Sequence, residues 1–361
     1  MIKGLYLKNF TVFDDLRIDL SNKINIIMGV NGTGKTHILK ALYAMCKSNG
    51  DVSVDKTMSE EEKRNISSSM ITDVFKPLDG ILGNLKRTGS RGSNAIIEIE
   101  YPDNSKFGLS FTANKEASGN GKAIKEFYNH SIESVYVPKD SHPVFIPAKE
   151  ILSFMLGLPT LVKKYELSFD MTYTVLMSHF ELPPIQKSLR TIRTDTIMGE
   201  IERICVGRFE FKGGGNVTFK TDKAEYSANV TAEGFRKLGT LYRLIETGAL
   251  RPGVGGPLFW DEPDANLNPL QIKGIVEALY SLAQAEQQVI IATHNYNLIK
   301  WFDLLFKKDR GDHVRYHVLH QDKGVIRVNS TDGFSSIYPN PILDAFTEIY
   351  DTDIDRIVKE S

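Results

Sequence analysis

Gly29-Val30-Asn31-Gly32-Thr33-Gly34-Lys35-Thr36 fits the pattern G-x-x-x-x-G-K-[ST] at every fixed position. This pattern suits the phosphates of a nucleoside triphosphate. Glycines let successive N–H groups curl around phosphate oxygens, the lysine ammonium reaches the terminal phosphates, and the threonine hydroxyl ligates Mg2+. Gly29, Asn31, Gly32, Thr33, Gly34, Lys35, Thr36 and His37 are therefore the expected phosphate-facing set, with ATP and Mg2+ as ligands. A dinucleotide fingerprint G-x-G-x-x-G is excluded, because the third residue after Gly34 is His37.

Two acids much further along could complete the chemistry. Asp261-Glu262 follows Leu258-Phe259-Trp260. Adjacent acids are usually a solvated surface feature, but here apolar residues lead into them, so burial is expected. An Asp ending a parallel strand beside the phosphate loop can hold Mg2+, directly or through water. The Glu after it can polarise the water that attacks the γ-phosphate. His294 ends another apolar run, 33 residues after Asp261 with one helix-like segment between. A histidine after a strand is more often a satisfied structural residue; this placement favours a role at the site.

Such groups converge only if the chain brings three strand ends together. Ile24 to Met28 reads as a strand into the phosphate loop, and His37 to Met45 as the helix leaving it. Pro257 to Trp260 and Gln288 to Thr293 read as buried strands that end in polar clusters.

These residues resemble the ABC-type ATPases, in the soluble branch that includes RecF, the SMC proteins and the overcoming-lysogenization-defect nucleases. Ile2 to Phe10 and Leu16 to Met28 look like its opening strands. Asp261 and Glu262 match its Walker B pair, Asp264-Ala265-Asn266-Leu267-Asn268-Pro269 its D-loop, and His294 its switch histidine. The resemblance implies an α/β fold, a P-loop ATPase head with a mixed sheet flanked by helices and an antiparallel β-layer. It implies Glu262 as general base, His294 as γ-phosphate sensor and Lys35 as the third catalytic group. Thr36 and Asp261 would hold Mg2+, and Asp264 would lie at the nucleotide.

The signature element is where the sequence departs from the family. Thr231-Ala232-Glu233-Gly234-Phe235-Arg236-Lys237-Leu238 lies just upstream of the Walker B strand and opens a helix expected over 235–246. Only Gly234 matches cleanly, and the register leaves either Thr231 or Ala232 in place of the signature serine. A helix N-terminus still favours an anion, so Thr231, Glu233 and Gly234 join the nucleotide-binding set. Glu233 is also an ordinary first-turn capping choice. In this family the signature of one subunit completes the ATP site of another. That implies a dimer of heads or a higher homo-oligomer, and a lone chain that turns over poorly. Lys149 and Glu150 lie near the place of the Q-loop, which stays unassigned.

Composition sets the remaining bounds. With 361 residues, 41% hydrophobic and 25% charged, the chain can bury a large core. Cys46 and Cys205 have no C-x-x-C spacing and read as reduced core thiols. No run approaches a membrane span and the N-terminus lacks a signal-peptide pattern, so the expected location is cytoplasmic, without membrane contact. A net charge of −1 gives no global field for nucleic acid. The basic run from Lys86 to Gly92, and Lys187, Arg190 and Arg193 at helical spacing, leave nucleic acid open as a partner, although solvated faces are the commoner reading.

About two hundred residues separate the phosphate loop from the signature, one extra domain's worth of chain. Ala95 to Tyr101 and Phe107 to Phe111 read as a hairpin in the β-layer. Ser134 to Pro138 and Val144 to Glu150 bracket a strand returning to the core, and Asp51 to Arg64 reads as a mobile segment or exposed helix. Ile66 to Leu85 has helical spacing, and Ile151 to Ile204 is mostly helical, broken at Pro183-Pro184. The expected division is an N-terminal part of the head over 1–150, a helical insertion over 151–205 and the rest of the head over 206–361. No long heptad stretch argues for a coiled-coil arm, and the 67 residues after His294 are few for a further nuclease domain. Asp351-Thr352-Asp353-Ile354-Asp355 reads as an exposed acidic segment. Phe145 to Phe154 and Glu233 to Leu250 narrow the likeness to small stand-alone ATPases of bacterial defence modules. Those act with a separately encoded effector such as a nuclease. The alternatives are a nucleotide-stabilised scaffold with little turnover and a DNA-repair ATPase in the RecF manner.

Overall fold

The computed structural model describes the chain except residues 56, 91–93, 114–123, 131–141, 166, 308–310 and 361; for 124–130 and 360 it describes the backbone alone. In chain order the strands are β1 (Gly4–Phe10), β2 (Phe13–Asp19), β3 (Ile24–Gly29), β4 (Ala95–Glu100), β5 (Lys106–Phe111), β6 (Ile124–His130) and β7 (Val144–Ile146), then β8 (Arg208–Phe211), β9 (Val217–Lys220), β10 (Glu225–Ser227), β11 (Leu258–Asp261), β12 (Val289–Thr293), β13 (Val314–Asp322) and β14 (Val325–Thr331). The helices are α1 (Lys35–Val54), α2 (Glu60–Phe75), α3 (Leu158–Tyr165), α4 (Met171–Glu181), α5 (Ile192–Cys205), α6 (Glu233–Glu246), α7 (Pro269–Gln284), α8 (Tyr296–Leu305) and α9 (Pro341–Glu360).

β3, β11 and β12 are buried at every position. Strands so apolar can lie only inside a sheet covered on both faces, the usual setting of parallel pairing. They do: the main sheet runs β14-β13-β3-β12-β11-β7, parallel from β13 to β7 with β14 antiparallel at one edge. Alternation along β3 sends Ile26 and Met28 into one core and Ile27 into the other. The second core lies between this sheet and an antiparallel sheet ordered β2-β1-β4-β5-β6, with α1 between the two layers. The sheets are tied at their start, where the buried Gln288 side chain bonds both the N–H and the carbonyl of Ile2, each at 2.7 Å.

The first core holds the helical segment as well. Leu176, Phe180, Ile197 and Ile201 share a cluster with Leu241, Leu244 and Leu258, so these helices pack onto the head's own core. A three-stranded sheet, β10-β9-β8, leads from α5 towards α6.

Several boundaries differ from the sequence reading. α1 continues to Val54 and α2 begins at Glu60, where 51–64 was expected to be mobile or one exposed helix. Ser59 and Glu62 form a reciprocal capping box there, a signal present in the sequence. The α-helix stops at Phe75, because Lys76 turns left-handed before Pro77, and the stretch on to Leu85 holds only two short 3-10 turns, Leu78–Gly80 and Leu82–Leu85. The segment 134–138 lies outside the described residues, while β7 covers Val144–Ile146. Both cysteines are free. Among the described residues no helix is long and apolar enough to cross a membrane.

Candidate functional site

The sheet order decides where the polar residues meet. β12 separates β3 from β11, and all three run parallel, so Gly29, Asp261 and Thr293 end their strands on one edge. Ligand sites of open α/β sheets form at such carboxyl ends. α1 then starts at Lys35 with Gly34 as its cap at φ 90°. A Cβ at Gly34 would lie 2.6 Å from the Phe13 ring, so the loop depends on glycine both for the backbone angle and for the room.

Within the loop, Thr33 Oγ1 donates to Val30 O at 2.8 Å, and Lys35 Nζ donates to Gly29 O at 2.8 Å and Val30 O at 3.2 Å. Burial lowers the Lys35 pKa, while Glu262, Asp261 and Asp264 nearby work the other way. Asn31 and Gly32 are exposed at the loop tip. The His37 ring lies against Phe75 at 5.8 Å, so what it can offer a phosphate is its backbone N–H, not its imidazole.

Asp261 and Thr36 meet across the edge: Thr36 Oγ1 donates to Asp261 Oδ2 at 2.8 Å. Asp261 Oδ1 is buried and has no hydrogen-bond partner among the described residues. Burial raises the Asp261 pKa to about 6, against the Thr36 hydrogen bond and the Lys40 and Lys35 charges. An orphaned carboxylate oxygen beside a threonine hydroxyl is the donor set that a hard divalent cation takes. Thr36 and Asp261 therefore fit Mg2+.

Glu262 follows in the left-handed region at φ 44°, with its N–H bonded to Ala292 O at 2.9 Å. A non-glycine residue there is strained and is kept only where surrounding bonds impose it. The turn swings the Glu262 carboxylate towards the end of β12, where Oε1 lies 3.2 Å from His294 Nδ1. Both side chains remain partly open to solvent.

The D-loop and signature residues are placed differently from expectation. Asp264 is 5% exposed and its Oδ1 accepts from Thr293 Oγ1 at 2.7 Å, so its side chain pins the turn to β12 instead of facing outward. α6 begins at Glu233, two residues before the expected start, with Ala232 as its cap. Neither register supplies a serine-like hydroxyl to that terminus: Ala232 has none, and Thr231 Oγ1 donates to Ala228 O at 2.6 Å. Glu233 Oε1 accepts from Asn266 Nδ2 at 3.3 Å, within the same chain. Gly234 is buried, and a Cβ there would come 2.7 Å from Gln271 Oε1 on α7. A larger residue at Gly234 would therefore have to displace the flexible end of the Gln271 side chain.

Three residues outside the expected site also matter. Lys237 is 3% exposed, and its ammonium donates to the carbonyls of Glu262 at 3.1 Å, Pro263 at 3.4 Å and Ala265 at 2.8 Å. Burial lowers its pKa. It lies on the face of Gly234, Leu238 and Leu241, so helical periodicity alone could have marked it as inward. Glu150 pairs with Arg236 Nε at 2.7 Å, and Arg236 also bonds Thr231 O. No pattern local to either residue announces that pair.

Residues 1–145 match the family described as AAA ATPase domain, somewhat under half of the chain. The DNA replication and repair protein RecF of Clostridium acetobutylicum is 48% identical over 42 residues, 12% of this chain and 12% of that protein. The RecF of Bacillus cytotoxicus is 32% identical over 87 residues, 21% of this chain and 23% of that protein. The matches thus span less than a quarter of these relatives' own length. A solved SMC head, bound there to the C-winged helix domain of ScpA, superposes with a TM-score of 0.53 at 14% identity, over 93% of this chain and 98% of that one. The fold is that of an ABC-type ATPase head. In sequence the head resembles the RecF and SMC branch, as its motifs imply. At this identity the superposition speaks for the fold alone, and the roles of single residues rest on the geometry above.

Of the basic segments, Arg91 and Gly92 lie outside the described residues, and Arg87 pairs with Asp14 at 3.4 Å. Lys187, Arg190 and Arg193 do not share one helix face: Lys187 is in a short 3-10 turn, Arg190 follows it, and Arg193 opens α5.

Proposed function

We propose that the head binds and hydrolyses ATP with Mg2+, and that nucleotide-dependent pairing of two heads gates a separately encoded effector, in bacterial anti-phage defence. The observation that carries this reading is the convergence of Lys35, Thr36, Asp261, Glu262 and His294 on one sheet edge. Lys35, now held by two loop carbonyls, is free to exchange them for phosphate oxygens. Thr36 and Asp261 would hold Mg2+, which would supply charge neutralisation at the phosphates. Glu262 accepts a proton from the attacking water, and His294, whose Nδ1 lies 3.2 Å from its carboxylate, orients that group and meets the γ-phosphate. Residues 1–150 and 206–361 form the head in this reading, with 151–205 as a helical insertion.

Pairing is supported by the terminus of α6. Its cap has no side-chain acceptor, and while the Phe235 N–H bonds Ala232 O at 3.0 Å, those of Glu233 and Gly234 are left to an anion on a second head. The effector belongs to the resemblance to defence-module ATPases, and a nuclease is its expected class. A second reading, a DNA-repair ATPase, is favoured by the local RecF matches and by exposed Lys187 and Arg193. It requires DNA affinity that falls steeply with salt.

The test is the solution mass of the protein with and without Mg-ATP, for wild type and Glu262→Gln. Assembly that grows with ATP and persists in the variant supports the paired motor. A mass indifferent to nucleotide, with turnover unchanged in the variant, would overturn it.

A further inference from the structure

The helical segment after β7 reaches the active edge through α4. β7 lies beside β11 in the main sheet, so the chain leaving β7 enters the edge next to Asp261. The acid on that stretch is already engaged. The Glu150 side chain is 4% exposed, and its carboxylate accepts from Arg236 Nε at 2.7 Å and from Ser153 N and Oγ at 3.2 and 2.9 Å. What α4 brings to this side is Tyr173.

α4 is tied at both ends. Thr36 and Lys40 stand one turn apart on α1. Thr36 bonds Asp261, and Lys40 Nζ pairs with Asp170 Oδ2 at 2.8 Å in a largely buried ion pair. Asp170 caps α4, accepting from Thr172 N at 2.9 Å, and its carbonyl accepts from Tyr173 N at 3.1 Å. At the far end Arg243 of α6, itself buried, donates to Phe180 O at 3.1 and 2.9 Å and to Leu182 O at 2.7 Å. A helix anchored in this way holds its side chains in place.

The Tyr173 ring packs 5.9 Å from that of Phe169. Burial raises the pKa of its hydroxyl, the Asp170 and Asp261 charges add to that, and a hydrogen bond from the Lys149 backbone opposes it. A phenol oxygen both accepts and donates. With the Lys149 N–H on one lone pair, this hydroxyl keeps a second lone pair and its proton, and no acceptor for that proton is found among the described residues. Mg2+ keeps several waters when one or two protein oxygens hold it, and the groups behind those waters set how firmly it stays. We propose that Tyr173 is a positioning residue of the metal site, its hydroxyl hydrogen-bonded to a water of the Mg2+ shell beside Thr36 and Asp261. This rests on the reading of Thr36 and Asp261 as the Mg2+ ligands. It makes the segment 151–205 part of the site through one side chain.

Titration of Mg2+ into the full chain with a fluorescent ATP analogue tests this. Tyr173→Phe, which keeps the ring against Phe169, should raise the half-saturating Mg2+ concentration about three- to tenfold, as loss of one hydrogen bond requires. Analogue affinity in chelator and the melting temperature without nucleotide should stay as in wild type. Phe169→Leu, which loosens the same packing and keeps the hydroxyl, should lower the melting temperature and leave the Mg2+ requirement alone. An unchanged Mg2+ requirement in Tyr173→Phe, an equal loss of affinity with and without Mg2+, or the same shift in Phe169→Leu would each overturn the proposal. Wild-type binding indifferent to Mg2+ would sink the metal reading and this proposal together, whereas a Mg2+ response shared by wild type and Tyr173→Phe sinks this proposal alone.

Discussion

Asp261 carries the sharpest chemical constraint of any single residue here. Its pKa in the fold, about 6, lies above the ordinary value of 3.8, so the folded state keeps a proton that the unfolded chain has already lost. Between those two values rising pH therefore removes stability, and above them the ionised form is a buried cost that a bound cation offsets. Metal binding needs the carboxylate, so Mg2+-dependent ATP affinity should be about tenfold weaker at pH 5 than at pH 7, as one competing proton requires. Titration of fluorescent ATP analogue binding at both pH values checks this; a flat profile would remove Asp261 from the metal site. For Glu262, the expectation is loss of hydrolysis by about 100-fold or more in Glu262→Gln, with ATP binding retained. Phosphate-release assays and equilibrium binding on the same preparation distinguish that outcome from simple misfolding.

Elements explain why these residues stay where they are. The turn after β11 contains two non-glycine residues in the left-handed region, Glu262 and Asn266, and both ends of it are tied. Asp264 ties it to β12 through Thr293, and Lys237 ties it to α6 through three carbonyls. Lys237→Met should leave those acceptors without their donor and cost roughly 1–3 kcal/mol, read as a lower melting temperature. Its hydrolysis should fall further than its ATP affinity, because the carbonyl of Glu262 is one of the three. Equal loss of both would reduce Lys237 to a packing residue. At this scale the sequence was legible for buried strands and for α1, whose apolar spacing and flanking glycines are local signals. Helix ends were less legible, as Ser59, Lys76 and Ala232 illustrate. A cap is decided by one or two backbone angles, which neighbouring packing can override.

The whole molecule sets the order of the strands and with it the use of the site. Parallel placement of β12 between β3 and β11 is what brings residues 225 positions apart, Thr36 and Asp261, to 2.8 Å. If pairing completes the site, specific ATPase activity should rise with protein concentration. Constant specific activity over a hundredfold dilution would show that one head suffices, since mass action must dissociate a pair.

The sequence by itself carried the expectation of an ATPase and of the groups that would serve it. Gly29 to Thr36, Asp261-Glu262 and His294 are short patterns whose meaning lies in residue type and spacing, because phosphate, magnesium and water demand those groups. Only the tertiary structure decided which side chains are free to act. Asp264 and Thr231 carry suitable groups but use them on Thr293 and Ala228, while Lys237 and Glu150 look ordinary until burial brings them to their partners. The reason is physical: a buried polar atom must find a partner wherever packing provides one, and packing is a property of the folded chain as a whole.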